Sequence, residues 1–345
     1  MHRSPHSRRS YVEVDRARLR RSYDRICVAQ TERADATATS SNTAPPSRFP
    51  TPGTLHSAMP ARNAFTVDLE DWYHGIELPF ASWREHENRI DIGLHRVLEL
   101  LDTHETKATF FTLGWIGDEY PGILATIAKN GHELASHGYS HEKAYNQSQA
   151  AFREEVRRTK ATLEDISGQP VTAHRSPFFS ITSKSLWALS ILREEGFEID
   201  SSISPIKTWR YGISTCPDEI FKIAEIDLVE FPVSRFSILA RNWAVGGAYF
   251  RLFPYRFTSR GMRKRLADAN YNMFYVHPWE YDETHPVVPM EWKAKLTHYT
   301  NLSKTFRNTT KLLQDFDFGT MSSVIKGFEE EHGPVRAVSI EMLQD

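Results

Sequence analysis

From Asn63 onward, short β-rich runs alternate with helical patterns, and this alternation constrains the fold more than any other feature. Seven strands are predicted, at residues 64–70, 108–113, 133–136, 172–175, 198–202, 228–233 and 273–277. Helical spacing of apolar residues, or a glycine just beyond, marks four segments between them, at residues 90–104, 118–129, 148–166 and 183–195. Strands that alternate with helices build a mainly parallel sheet. Seven such units favour an α/β fold with barrel-like closure.

The overall composition is that of an enzyme-sized globular protein. The chain has 345 residues, of which 40% are hydrophobic and 25% charged. Its formal net charge of −2 gives no electrostatic reason to expect nucleic acid or an anionic membrane as a partner. The two cysteines, Cys27 and Cys216, lie far apart, which excludes a disulfide framework. No apolar run reaches the roughly 18 residues of a membrane-spanning helix, so no integral membrane segment is predicted.

Three regions are expected along the chain. Residues 1–60 are rich in Arg, Ser, Thr, Ala and Pro and bury too little apolar surface to offset their ordering entropy, which predicts a disordered or low-complexity extension. Residues 61–285 form the α/β domain, and residues 286–345 form a C-terminal elaboration that packs on it. No secretory signal is recognisable. A cytoplasmic location is therefore expected, with action in the periplasm or at a membrane surface as the alternative.

Two histidines lie four residues apart just after the predicted strand at residues 133–136. His137 follows the strand and His141 lies on the turn beyond it, so both imidazoles can reach one ion. Neutral imidazole suits zinc, and a third, carboxylate ligand leaves one position open for water, as in catalytic zinc sites. The alternative is a pair of surface histidines without a ligand.

Carboxylates are concentrated at the end of the first predicted strand. Asp68, Glu70 and Asp71 lie within four residues, and their mutual repulsion makes burial costly unless a cation or an arginine compensates. A metal ion together with Arg175 would do so, whereas a solvated acidic loop is the alternative. The chemistry of barrel-like folds gathers at the C-terminal ends of the strands. The acidic cluster and four further polar residues fall there, namely His137, Arg175, Asp200 and His277.

The order of these features resembles the polysaccharide deacetylases of the NodB-homology group, carbohydrate esterase family four. The resemblance is closest to the subgroup associated with PEP-CTERM/exosortase exopolysaccharide loci, and it covers roughly residues 63–322. Eight motifs carry it: VDLEDWYH (67–74), GWIGDEYPGILATIAKNGHELASHGYSH (114–141), PFFSIT (177–182), SLWAL (185–189), DSSISPI (200–206), GGAYFRLFPY (246–255), FYVHPWE (274–280) and HYTNL (298–302). It implies a distorted (β/α)7-type barrel with a family-specific C-terminal elaboration. The implied activity is the release of acetate from N-acetyl groups on an exopolysaccharide or its oligomeric precursor.

The resemblance also implies a metal site. The metal-binding histidines of the family match His137 and His141. Its third ligand is an aspartate directly after the catalytic base, but Leu69 stands at that place here, so Glu70 and Asp71 are the candidates. Glu70 is slightly favoured because, on an extended strand, it shares a face with the base, although a bulge would reverse this. The implied ion is divalent, zinc in the first instance, with cobalt or nickel as alternatives.

The catalytic roles follow from the same resemblance. Asp68 matches the base, Arg175 the arginine that orients it, and His277 the general acid, with Asp200 placed to tune that histidine. The base takes a proton from the attacking water, and the acid protonates the leaving amine, which is a poor leaving group otherwise. Five further residues are candidates for substrate contact: Trp72, Tyr139, Pro177, Phe178 and Trp279.

Other functions remain open at this point. Relatives of the fold include cyclic-amide and ureide hydrolases, and two histidines with a carboxylate also occur in iron oxygenases. A carbohydrate-binding protein without turnover is the non-enzymatic alternative. The expected partner in the leading hypothesis is an N-acetylated carbohydrate, whose sugar and linkage the sequence does not specify.

Overall fold

The computed structural model describes residues 61–238, 241–268 and 270–344. The predicted extension at residues 1–60 therefore lies outside the described residues. The described strands are β1 (Asn63–Leu69), β2 (Thr109–Thr112), β3 (Glu133–Ser136), β4 (Ala173–His174), β5 (Ile199–Asp200), β6 (Phe221–Ile223), β7 (Leu228–Glu230), β8 (Arg235–Ile238), β9 (Arg241–Ala244), β10 (Asn272–Val276) and β11 (Ala337–Val338).

Nine of these strands form one sheet in the order β10-β1-β2-β3-β4-β5-β7-β6-β11, and β8 pairs with β9 in a second sheet. Neighbours in the large sheet run parallel except β6 and β7, which are antiparallel. Every residue of β1 is buried, as expected of a strand that is covered on both faces. The predicted α/β class with a mainly parallel sheet is confirmed.

The described helices lie mostly between the strands. They are α1 (Trp72–Gly75), α2 (Ile90–Thr103), α3 (Gly114–Glu119), α4 (Pro121–Lys129), α5 (Gln149–Ser167), α6 (Trp187–Glu194), α7 (Gly247–Leu252), α8 (Tyr255–Ala267), α9 (Trp292–Tyr299), α10 (Leu302–Asp315) and α11 (Met321–His332). No helix in the described ranges is long and apolar enough to cross a membrane.

Local sequence explains where these helices begin and end. The Ser148 side chain accepts a bond from Ala151 N at the start of α5, and Gly168, with φ of 66°, ends it in the left-handed conformation. The predicted helix at residues 118–129 is instead two helices, because the ring of Pro121 removes a backbone donor and restarts the helix as its first residue.

All seven predicted strands are present, with ends shifted by up to three residues. The sequence does not reveal β6, β8, β9 and β11, which are only two to four residues long and too short to show a clear alternation. Elements beyond residue 285 join the large sheet: β11 pairs with β6, and Gly319 bridges to Ala64. The boundary between residues 61–285 and 286–345 stays a prediction.

Candidate active site

Parallel pairing brings the ends of four strands to one place. In the register of the sheet, Val67 of β1 lies beside Val276 of β10, and Thr112 of β2 lies beside Ser136 of β3. The residues that follow these positions therefore emerge at the same edge. They include Asp68 and Glu70 after Val67, His137 after Ser136, Arg175 after β4, and His277 after Val276.

Glu70, His137 and His141 form a buried group suited to hold a metal ion. One ligand atom from each lies within 4.8 Å of the others. Glu70 Oε1 is 2.8 Å from His141 Nε2 and 3.2 Å from His137 Nε2. Two imidazoles and one carboxylate are the donors of a catalytic zinc site that keeps a position open. The donor set therefore fits the divalent ion that the sequence motifs imply.

A hydrogen bond orients His137, and a left-handed backbone conformation positions His141. His137 Nδ1 lies 2.7 Å from the carbonyl oxygen of Arg175, which can only accept, so Nδ1 carries a proton and Nε2, which faces Glu70, is the nitrogen that would bind an ion. His141 has a φ of 58°, a left-handed conformation that costs on the order of 1 kcal/mol outside glycine. Ser140 next to it donates to Glu155, which fixes the loop. Strain of this kind is characteristic of functional sites.

Glu70 is charged in this arrangement. Burial opposes its ionisation, but the charges of His141 and His277, with hydrogen bonds from His137 and His141, hold its pKa well below the usual range. A second group of potential ligands, Asp68, Glu70 and His277, shares this carboxylate. Asp68 is already paired with Arg175, and His277 with another carboxylate, so the group containing both histidines is the better metal site.

Asp71, the other candidate carboxylate ligand, accepts hydrogen bonds from backbone N–H groups instead. Its Oδ1 accepts from Trp72 N at 2.7 Å at the start of α1, and its Oδ2 accepts from Arg89 N and Ile90 N at 2.7 and 3.0 Å. Burial raises the pKa of Asp71 to about 7, against the influence of these bonds. Asp71 thus joins α1 to the start of α2, and the structure groups Glu70, not Asp71, with the histidines.

Asp68 and Arg175 form a buried ion pair. Arg175 Nη1 donates to Asp68 Oδ1 at 2.5 Å and to Thr66 Oγ1 at 3.0 Å, while Nη2 donates to Ser201 Oγ at 3.1 Å. The guanidinium carbon lies 3.9 Å from the ring centroid of Phe111. A buried charge is tolerated when it is paired and hydrogen-bonded in this way. The pair fixes the direction of the Asp68 carboxylate, whose Oδ2 lies 3.8 Å from His277 Nε2.

His277 is held from behind by a residue that sequence reasoning did not single out. Its Nδ1 lies 2.6 Å from Glu280 Oε1, and Arg251 Nε donates to Glu280 Oε2 at 2.9 Å. Arg251 also donates to the carbonyl oxygens of Thr297, His298 and Thr300. The sequence signal that could have identified Glu280 is its position three residues after His277 in the motif FYVHPWE. Arg251 lies in the motif GGAYFRLFPY, and nothing local links it to this carboxylate.

The expected role of Asp200 needs correction. Asp200 accepts from Ser202 Oγ at 2.6 Å and is hydrogen-bonded to Glu230 on the neighbouring strand. The carboxylate on His277 Nδ1 is that of Glu280. Because β5 and β7 are adjacent and parallel, Asp200 faces Glu230 instead of the histidine.

The five residues expected to contact substrate are not equivalent. Phe178 is half-buried, with its ring centroid 4.7 Å from that of His141. Tyr139 is also half-buried, and its hydroxyl donates to Asp118. Trp72, Pro177 and Trp279 are buried. Trp279 is stacked between His277 and His298, so its buried ring supports the histidine and offers no open face for the expected substrate contact.

Comparisons with known proteins bear on this geometry. The family model described as polysaccharide deacetylase matches residues 92–197, and a model described as a domain of unknown function (DUF3473) matches residues 201–326. The first span contains His137, His141 and Arg175, and the second contains His277 and Glu280. Each model covers less than half of the chain.

Curated relatives match over a quarter to a third of the chain. The peptidoglycan-N-acetylglucosamine deacetylase of Bacillus cereus is 32% identical over 94 residues, which are 27% of this chain and 34% of that protein. The peptidoglycan deacetylase of Helicobacter pylori is 26% identical over 116 residues, 33% of this chain and 38% of that protein. The match thus spans just over a third of the length of these relatives.

Two solved structures share the fold. A Mycobacterium smegmatis protein, provisionally described as a polysaccharide deacetylase, superposes with a TM-score of 0.55 at 18% identity and covers 84% of this chain and 98% of its own. The Puue allantoinase superposes with a TM-score of 0.51 at 13% identity, over 80% and 93% of the two chains. At these identities the likeness concerns the fold. The sequence matches thus show that residues 92–197 are similar to polysaccharide deacetylases, and the two solved structures show that the fold is shared.

Proposed function

We propose that this protein is a metal-dependent deacetylase that hydrolyses N-acetyl groups on a carbohydrate. The observation that carries the proposal is the buried Glu70, His137 and His141 group beside Asp68 and His277. A divalent cation held by this group would polarise the amide carbonyl and ease deprotonation of water. The family match over residues 92–197 supports the same reaction class.

The remaining residues divide the proton transfers between them. Hydrolysis adds water across the amide: a C–O bond forms, the C–N bond breaks, and acetate and an amine leave. Asp68 takes the proton of the attacking water, and Arg175 holds its carboxylate in one direction. His277, protonated, gives its proton to the departing nitrogen, because an amine leaves poorly as an anion. The distance of 3.8 Å between Asp68 Oδ2 and His277 Nε2 supports action of this base and this acid on one reacting centre.

The protonation state of His277 suits this role. Burial disfavours its charged form, but the charges of Glu70 and Glu280 and the bond to Glu280 outweigh burial and raise its pKa to about 9. Glu280 itself stays ionised: burial opposes this, but Arg251 and His277 lower its pKa. The raised pKa favours the protonated form of His277 that an acid needs.

Acetate release tests the proposal. The protein is stripped of metal, reloaded with zinc, cobalt or nickel, and incubated with a panel of N-acetylated saccharides. We expect release only after reloading. His137→Ala should abolish both metal retention and acetate release, whereas His95→Ala, at an exposed position of α2, should change neither. Full metal content and activity in His137→Ala would overturn the proposal, as would saccharide binding without acetate release from the wild-type protein.

For the substrate, we propose an exopolysaccharide or its oligomeric precursor. Support comes from the eight motifs that resemble the PEP-CTERM/exosortase subgroup. The curated relatives named above are described as acting on peptidoglycan. Parallel assays with peptidoglycan and with the exopolysaccharide of the producing cell separate the two substrates. The proposed location is the cytoplasm, and fractionation with antibodies against the chain tests it.

A further inference from the structure

Trp209 is the most exposed large apolar side chain among the described residues, with 88% of its surface accessible. It lies in the irregular segment between β5 and β6, within the span that matches the domain of unknown function. An indole in water loses the favourable free energy of burial, which is about 2 kcal/mol for a large apolar side chain. A single exposed apolar side chain is ordinary on a protein surface, so a binding role for Trp209 has to be argued from its contacts with the site.

Trp209 is connected to the proposed metal site by successive ring contacts. The ring centroid of Phe178 lies 4.7 Å from that of His141. The guanidinium carbon of Arg210 lies 5.1 Å from the Phe178 centroid and 4.6 Å from the Trp209 centroid. A cation over an aromatic face holds the ring in place. His141, Phe178, Arg210 and Trp209 thus form a continuous row that leads from the metal ligands to the surface.

A single carboxylate secures this row. Glu77 accepts from Arg210 Nη2 at 2.8 Å and also pairs with Lys143. Lys143 Nζ in turn lies 5.0 Å from the Phe178 centroid, so two cations, Lys143 and Arg210, contact the Phe178 ring. Both Glu77 and Phe178 have positive φ values, 58° and 56°. Local strain at two residues that contact the same two cations, Arg210 and Lys143, indicates that the fold specifies where these side chains lie.

We propose that Phe178 and Trp209 form a stacking platform for sugar rings beyond the acetylated one. The inference rests on the proposed function. The apolar face of a pyranose ring packs on an aromatic face, and an exposed, anchored indole provides such a face at low entropic cost. Three successive contacts of 4.7, 5.1 and 4.6 Å lead from His141 through Phe178 and Arg210 to Trp209, so Trp209 is placed for a sugar ring farther along the saccharide chain than the one at the metal ligands. The substrate class is therefore a longer oligosaccharide or a polymer.

The test compares a β-1,4-linked N-acetylglucosamine hexamer with the dimer, using the zinc-loaded protein. For Trp209→Ala we expect the KM for the hexamer to rise by about three- to tenfold, with kcat within about twofold. The KM for the dimer should stay within about twofold. Trp209→Phe should restore most of the affinity for the hexamer because it retains an aromatic face. An exposed side chain can be truncated with little effect on folding.

Trp292→Ala is the matched control, since Trp292 is 70% exposed and also has a lysine over its ring. It should leave both KM values unchanged. An unchanged KM for the hexamer in Trp209→Ala, or an equal rise for the dimer, would overturn the platform.

Calorimetric titration of the metal-stripped protein with the hexamer separates this inference from the proposed function. Weaker binding to Trp209→Ala than to wild type supports the platform even if neither protein releases acetate, a result that would remove the proposed function alone. Absence of hexamer binding to the wild-type protein would overturn the platform.

Discussion

His277 and Glu280 are joined by a 2.6 Å contact between Nδ1 and Oε1, and the far oxygen of Glu280 is bound by Arg251. The carboxylate therefore both orients the imidazole and favours its charged form. Burial alone would lower the pKa of His277, but the charges of Glu70 and Glu280 raise it to about 9. A divalent cation at Glu70 would act in the opposite direction by repelling the imidazolium.

Glu280→Gln should lower the upper pH limit of activity. An acid must be protonated, so activity falls as pH rises through the pKa of His277. Removal of the Glu280 charge lowers that pKa, and we expect the alkaline limb of kcat to move down by roughly one pH unit. The measurement is kcat against pH with a saturating saccharide. Asp200→Asn is the control and should leave the limb in place. The opposite pattern, with movement only in Asp200→Asn, would refute the role of Glu280.

Glu70→Gln and Asp71→Asn should separate metal binding from stability. Glu70→Gln removes the negative ligand between the two histidines, so we expect zinc content measured by mass spectrometry to fall sharply. Asp71→Asn keeps one acceptor but turns an amide NH2 group toward backbone donors that an oxygen accepts from in wild type, and it should retain zinc. Its metal-free form should lose about 1 to 2 kcal/mol in urea unfolding. Zinc retained in Glu70→Gln but lost in Asp71→Asn would assign the ligand to Asp71.

The contrast between Glu70 and Asp71 shows how far local patterns reach. The period of two along a strand puts Asp68 and Glu70 on one face, which is a property of the segment itself. The use of Asp71 depends on the backbone N–H groups of Arg89 and Ile90, brought there by the packing of α2. No pattern around residue 71 encodes that arrangement.

The same limit applies on the acid side of the site. The register between β1 and β10, which places His277 near Asp68, follows from parallel strands with polar residues at their ends. That Glu280, and not Asp200, contacts His277 depends on tertiary contacts. Arg251 reaches Glu280 from α7, and Glu230 faces Asp200 from β7. Neither partner is near in sequence to the carboxylate that it contacts.

Glu230→Gln should make stability less dependent on pH. Burial, followed by the charge of Asp200, raises the pKa of Glu230 well above its ordinary 4.5. The folded state therefore binds this proton more tightly, so the contribution to stability is complete below about pH 4.5 and is lost as pH rises through the raised pKa. Glutamine imitates the protonated form at every pH.

Urea unfolding between about pH 5 and 9 measures the effect. As pH rises, the free energy of unfolding of wild type should fall relative to that of Glu230→Gln, by at most about 1.4 kcal/mol per pH unit. Glu198→Gln, at an exposed position just before β5, should follow wild type. Parallel curves for wild type and Glu230→Gln would show that Glu230 is not protonated in the folded protein.

Gly93→Ala should disturb the site from a distance, because α2 touches the segment between His277 and Glu280 at Gly93. A Cβ there would lie 1.9 Å from the carbonyl oxygen of Pro278 and 2.4 Å from its carbon, and backbone atoms cannot turn aside as a side chain can. Overpacking of this kind costs about 1 to 3 kcal/mol, more than the helix propensity gained from alanine. We expect lower stability in urea and a lower kcat, since displacement of Pro278 moves His277 on one side of it and Trp279, which stacks on His277, on the other.

Gly122→Ala in α4 is the matched control: its Cβ meets nothing within 4 Å, and the protein should gain up to about 1 kcal/mol in its free energy of unfolding with kcat unchanged. Equal stability and kcat in the two variants would show that the close approach of α2 to Pro278 does not position His277.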